Sequence, residues 1–273
     1  MKKIVDNALK ALLYEVVTLP KPGLVDPADN GSHVDMNVYT FIDSSLALQP
    51  YLEQAAIIGE SFIENDLTKM FFKLRQAGIN AEEEMLKATN RVNTHKGAIF
   101  SLGIFVCARS YARKNNLNTF KVIKKMCHNL VKDDFNKIDS KKMTAGERQY
   151  LRYKLGGVRQ LAEEGYPIVE FKSLPYLKNR SGELNERLLD TLMLLAANVN
   201  DSTFIKRSGD IKKLGWLHET AQLFLDKGGS QTSQGKKDLE KLNLIFKQNN
   251  YSIGGCADLL IVTIFMALEE NYL

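Results

Sequence analysis

Apolar residues return every three to four positions along nearly the whole chain, and that period admits few architectures. Ile4, Ala8, Ala11, Leu12 and Val16 form one stripe; Leu188, Leu192, Leu195 and Val199 form another. A helix turns once in about 3.6 residues, so each stripe collects on one side and needs a partner surface to bury it. Strand-like alternation between hairpin turns is scarce. The pattern predicts an all-α fold, a single compact domain of about 10–13 helices joined by short loops. No repeat and no long linker divides the chain, so residues 1–273 are read as one unit.

Helix punctuation agrees. Pro20 and Pro22 must end the first helix, because proline lacks the backbone donor and its ring collides with the preceding turn. Ser32 with Asp35, and Thr144 with Glu147, have the spacing of capping boxes.

Composition narrows the class. A chain of 273 residues with 44% hydrophobic content can bury a sizeable core. Its net charge of +5 is too small for a dedicated nucleic-acid binder, and no nucleic-acid partner is expected. Cys107, Cys127 and Cys256 are widely spaced and form no CxxC pair, which fits a reducing compartment without structural zinc. Asp6, Lys10 and Glu15 interrupt the first segment too often for a signal-peptide core. The uncharged run 259–268 falls short of the roughly 18 residues a membrane span needs. A cytoplasmic protein without a membrane partner is expected.

Polar residues and glycines crowd into a few short segments. KPGLVDPADNGSHVDM (21–36) is a constrained loop carrying Lys21, Asp26, Asn30, Ser32, His33 and Asp35. Its acids could hold magnesium, which takes one or two carboxylates plus substrate phosphates, or they could simply form turns and caps. NTHKGAIFSLG (93–103) places His95, Lys96 and Gly97 at a helix start capped by Asn93 or Thr94. Gly97 would admit a ligand close to the backbone, and Lys96 could meet a phosphate; a structural histidine fits the segment equally well. SIGGCADLLIVTIF (252–265) leads through Gly254 and Gly255 into a strongly apolar helix with Asp258 in its first turn. An acid there interacts favourably with the helix dipole, yet so apolar a helix should lie deep and bring the acid to a cavity. Arg159, in GGVRQLAEEGYP, and Arg207, in NDSTFIKRSG, are phosphate candidates or solvated surface arginines. GSQTSQGKK (229–237) imitates a P-loop, but it is one residue too long and Lys237 stands where Ser or Thr is required.

Taken in order, KPGLVD, NGSHVDM, NTHKGAIFSLG, TAGE and SIGGCADLL resemble the triphosphoribosyl-dephospho-CoA synthase family, from Glu15 to Phe265. Lys21, Asp26, Asn30, His33 and Asp35 fall on its first motif; Asn93, His95, Lys96 and Gly97 on its second. Arg159 and Asp201 fall on the middle motifs, and Gly254, Gly255 and Asp258 on the last. The chain departs from the family pattern at Leu161, at Ser208 after Arg207, and at Ser202-Thr203 after Asp201.

The resemblance implies transfer of the 5-triphosphoribosyl group of ATP to the ribose 2′-hydroxyl of 3′-dephospho-CoA, with release of adenine. The product would be the prosthetic-group precursor of citrate lyase, or of malonate decarboxylase. It would pass to a second transferase that loads an acyl carrier protein. An α-linked product from β-configured ATP implies inversion in one displacement, through a ring carrying positive charge. Residue chemistry then suggests Lys21, Lys96 and Arg159 for phosphates, with Asn30, Ser32, Asn93, Gly97, Arg207, Gly254 and Gly255 completing the nucleotide site. Asp35 and Asp26 would hold Mg2+ brought with ATP. Asp258, or failing it His33, would be the base, and His95 would protonate adenine. This requires Asp35, Lys96 and Asp258 to meet in one pocket. The alternatives are an ATP N-glycohydrolase, with water as acceptor, and a non-catalytic nucleotide-binding helical module.

Overall fold

The helical stripes close around two buried helices in the computed structural model, which describes residues 1–136 and 143–273. In chain order the helices are α1 (Lys2–Val17), α2 (Val38–Ala47), α3 (Gln49–Ser61), α4 (Leu67–Ala88) and α5 (Lys96–Asn115). Next come α6 (Thr119–Met126), α7 (Leu130–Phe135), α8 (Ala145–Tyr153), α9 (Gly157–Glu164) and α10 (Leu174–Asn179). The last are α11 (Leu184–Asn198), α12 (Ser202–Ser208), α13 (Lys213–Asp226), α14 (Ser233–Asn249) and α15 (Gly254–Glu269). A π turn, Val169–Ser173, precedes α10, and a 3-10 turn, Gly229–Gln231, precedes α14. Among the described residues there is no strand, and the expected all-α class holds. Twelve of these α-helices run eight residues or longer, in line with the expected number; α7, α10 and α12 are shorter.

α15 carries no charge from Leu259 to Leu268, and every one of those residues is buried. A helix apolar on all sides must be surrounded, and α1, α5, α10 and α11 do so. α5 is the second axis, enclosed by α3, α4, α6 and α15. Its approach to α3 is set by Gly59, where a Cβ would lie 2.0 Å from the Cys107 carbonyl oxygen. Tyr51 on α3 donates its hydroxyl to the Ile99 carbonyl at 2.9 Å, which fixes the register of that pair. One continuous core runs from Ile4 to Leu268. Among the described residues no helix is long and apolar enough to cross a membrane.

Local signals held in part. Thr144 and Glu147 form the expected capping box at α8. The Ser32–Asp35 box does not form: Ser32 donates to the Phe246 carbonyl at 3.2 Å, and the helix starts later, on a box made by Asn37 and Thr40. The P-loop look-alike is structural, its Ser230 amide donating to the buried Asp190 carboxylate at 2.7 Å.

Candidate active site

A cavity of about 340 Å³ opens where several helices begin. Gly97 of α5, Gly146 of α8, Gly157 to Arg159 of α9 and Gly255 of α15 line it from the first turns of their helices. Asp258 lines it as well, but from the second turn of α15 and not the first turn that the sequence suggested. The first turn of a helix leaves amides without intrahelical acceptors and carries a partial positive charge. Four such ends directed at one space make it suited to a polyphosphate.

Asp258 faces this space from α15, pressed against α5. A Cβ on Gly97 would sit 1.9 Å from the Asp258 Oδ2, so only glycine allows the two helices to meet around that carboxyl. Burial first, and then the neighbouring Glu15 and Asp201 carboxylates, push the Asp258 carboxyl well above the usual range; the Ala98 amide pulls the other way. Gly97→Ala is expected to displace the carboxyl and cut turnover by about 10²-fold, the scale on which small misplacements of reacting groups act. Steady-state kinetics beside a urea melt checks this; wild-type turnover in the variant would show that the contact is dispensable.

Asp201 ties two of the helix starts together. Its Oδ1 accepts from the Thr203 and Phe204 amides at 2.8 and 2.9 Å, and its Oδ2 from the Cys256 amide at 2.7 Å. Burial outweighs these bonds and raises its pKa. Arg159 lines the cavity while its Nε donates to Asp134 at 2.6 Å, and the guanidinium lies 5.5 Å from the Phe135 ring centre. Lys96 is exposed on the far side of Gly97 and pairs with Glu82. Asn93 is also exposed, and its Oδ1 accepts from the Lys96 amide at 3.2 Å, although the residue at the cap position of α5 is His95 and not Asn93 or Thr94.

The loop 21–36 contributes nothing to the cavity lining, which corrects the expectation that the first, second and last motifs share one pocket. Its Asp26, Asn30 and His33 instead line a separate open hollow of about 570 Å³. Lys21 is not placed for phosphate: it is buried, and its Nζ donates to both Glu15 Oε1 and the Glu15 carbonyl at 2.5 Å. Asp26 is buried and organises the loop, accepting from the Lys21, Ala28 and Asp29 amides at 3.0, 2.8 and 2.9 Å. Asp35 is exposed. Among the described residues no three His, Cys, Asp or Glu side chains are grouped to hold a metal ion; magnesium held by one or two carboxylates plus ATP phosphates needs no such group.

Arg207 also serves the loop. Its Nη1 donates to the Ser32 carbonyl at 2.9 Å and to Asn250 Oδ1 at 2.6 Å, and its Nη2 to His33 Nδ1 at 3.1 Å. With Nδ1 accepting, the His33 ring proton sits on Nε2, 3.3 Å from the Ser252 hydroxyl. Burial, then the Arg207 charge, lower the His33 pKa to about 4, against the opposing pull of Asp35. Both ring nitrogens are engaged, so His33 is a poor base. His95 is buried at the start of α5. Thr94 donates to the Ser44 hydroxyl at 2.7 Å, and Ser44 shares a hydrogen bond of 2.6 Å with His95 Nδ1. The other ring nitrogen, Nε2, has no hydrogen-bond partner among the described residues. Burial and the Lys21 charge lower its pKa to about 3, so it is neutral near pH 7 and unsuited to protonating adenine. Gly254 packs against Thr203, beside the cavity wall that Gly255 forms.

Residue-level reading missed Glu15, although it follows Ile4, Ala8 and Ala11 along the apolar stripe of α1 and so had to be buried. It also passed over Gly146, Gly156 and Gly157, which lie in noted segments but carry no individual mark.

The whole chain, residues 1–273, matches the family described as CitG: ATP:dephospho-CoA triphosphoribosyl transferase. The chain belongs to this family. It is therefore a transferase acting on ATP and dephospho-CoA. It is 46% identical to a probable 2-(5''-triphosphoribosyl)-3'-dephosphocoenzyme-A synthase of Lactiplantibacillus plantarum, over 100% of this chain and 99% of that protein. A protein of the same name from Streptococcus equi subsp. equi is 38% identical, over 100% of this chain and 99% of the relative. Protein CitXG of Leuconostoc mesenteroides subsp. cremoris is 50% identical over 97% of this chain, which spans 58% of that longer protein. No solved structure matches the chain.

Proposed function

We propose that the cavity at the starts of α5, α8, α9 and α15 holds the triphosphoribosyl end of ATP, and that Asp258 takes the proton from the acceptor 2′-hydroxyl. The observation that carries this reading is the Asp258 carboxyl, held against Gly97 at the edge of a space where four helices begin. The triphosphate needs compensating positive charge. Free amides of α8 and α9 provide it together with Arg159, whose guanidinium presents a planar fork to phosphate. Magnesium enters as the counter-ion of the ATP phosphates. Inversion at C1′ puts the attacking hydroxyl and the departing adenine on opposite sides of the ribose. Asp258 therefore stands on the acceptor side, and its negative charge after ionisation also favours the positive ring of the transition state.

The same reading has the enzyme act in the cytoplasm, where its three buried thiols stay reduced. It passes 2'-(5''-triphosphoribosyl)-3'-dephospho-CoA to a second transferase that loads an acyl carrier protein. The decisive assay is chromatographic: ATP with and without dephospho-CoA, following adenine. Adenine is expected only with both substrates, in equal amount to the conjugate. Adenine from ATP alone would indicate a glycohydrolase, and tight nucleotide binding without adenine would indicate a non-catalytic module.

A further inference from the structure

A second hollow of about 310 Å³ lies between α4 and α5 and shares Gly97, Val158 and Arg159 with the cavity. Its character differs from that of its neighbour. Phe71, Ile79, Ile99 and Phe100 give it apolar walls, with the Phe71 and Phe100 rings edge to face at 6.3 Å. Its rim is charged, by the Lys96–Glu82 pair and by Arg75 and Arg159, which both bind Asp134. Aromatic and aliphatic walls with one acid at the edge suit a flat heteroaromatic ring: the faces stack, and a carboxylate accepts from an exocyclic amine.

We infer that this hollow binds the adenine ring of the acceptor, dephospho-CoA. The inference rests on the role proposed for Asp258. Both substrates carry adenine, so the side of C1′ on which the hollow lies decides between them. Gly97 is a wall of the hollow, and the same glycine is in direct contact with the Asp258 carboxyl. In a displacement with inversion the base stands with the attacking hydroxyl, away from the leaving group. A ring seated just beyond Gly97 is therefore on the attacking side. In the acceptor the carbon bearing the 2′-hydroxyl is bonded to the carbon bearing adenine, so the ring and the reacting oxygen must lie close together. Arg75 and Lys96 on the rim then face the acceptor's diphosphate.

Two substitutions test this in the full chain. Ile79→Trp, at a largely exposed position on the mouth, fills the hollow, and Phe100→Ala removes a stacking wall. Calorimetric titration with dephospho-CoA and, separately, with ATP reads the result, with circular dichroism checking the helical content. Each folded variant is expected to bind dephospho-CoA about tenfold more weakly, the scale of one lost base–aromatic stack, with ATP affinity unchanged. Weakened ATP binding with unchanged dephospho-CoA binding would assign the hollow to the donor and overturn the inference. Unchanged binding of both would remove the hollow from substrate recognition. Wild-type turnover in the adenine assay is read separately, so failure of the transferase mechanism is distinguishable from failure of this subsite.

Discussion

Asp258→Asn is expected to lower adenine release by about 10²–10⁴-fold, the range over which a positioned general base acts, and to leave the protein folded. The amide keeps the shape of the carboxyl against Gly97 but cannot accept the hydroxyl proton. A pH profile sharpens the test. The wild-type carboxyl titrates well above the usual range, owing first to burial and then to Glu15 and Asp201. It is neutral and inactive as a base at low pH, so kcat/KM should fall as pH drops through that raised pKa. The variant should lack this limb. Stability has the opposite dependence: the folded state holds this proton more tightly than the unfolded chain, so ionising Asp258 costs stability as pH rises through the raised pKa. The Asn side chain does not ionise, and the variant's Tm near neutral pH should equal or exceed that of the wild type. Undiminished turnover, or an unaltered acid limb, would take the base role from Asp258.

Lys21→Met should destabilise the fold by about 3–5 kcal/mol, the scale for removing one partner of a buried ion pair. The Lys21 and Glu15 side chains are 1% and 4% exposed and meet at 2.5 Å. Deleting the cation strands a buried carboxylate. The double change Glu15→Gln with Lys21→Met should recover most of the loss, because no uncompensated charge then remains, and urea denaturation measures both. The double variant also removes one of the carboxylates that raise the Asp258 pKa, so its acid limb should move to lower pH. If Lys21 were a phosphate ligand, Lys21→Met would instead raise the KM for ATP and leave the urea midpoint unchanged.

Much of the site was legible because it follows from local rules. The Gly-Gly start of α15 with an acid four residues on, the Asn93 bond to the Lys96 amide and the Thr144–Glu147 box are each set by neighbours within a few positions. An uncharged helix as long as α15 had to be interior, and an acid at its mouth had to meet a cavity. Lys21, Asp26, His33 and Arg207 were harder to read, for the converse reason. Phosphate-binding and structural residues are the same types at the same spacing, and what separates them is whether the polar atoms already have partners. Those partners come from α1, from the loop's own turned backbone, and from the ends of α12 and α14.

Periodicity alone therefore settles that this chain is all helix, and the order of its motifs settles its family, since both are written in residue types and spacings. Which charged groups remain free to act is a different kind of property. It depends on burial and on hydrogen-bond partners contributed by segments up to two hundred or so residues away. Packing α15 against α1 and α5 made Asp258 an unusually weak acid, Glu15 with Lys21 a hidden pair, and His95 a neutral ring. No run of neighbouring residues carries that information, because the electrostatic environment is created when the helices meet.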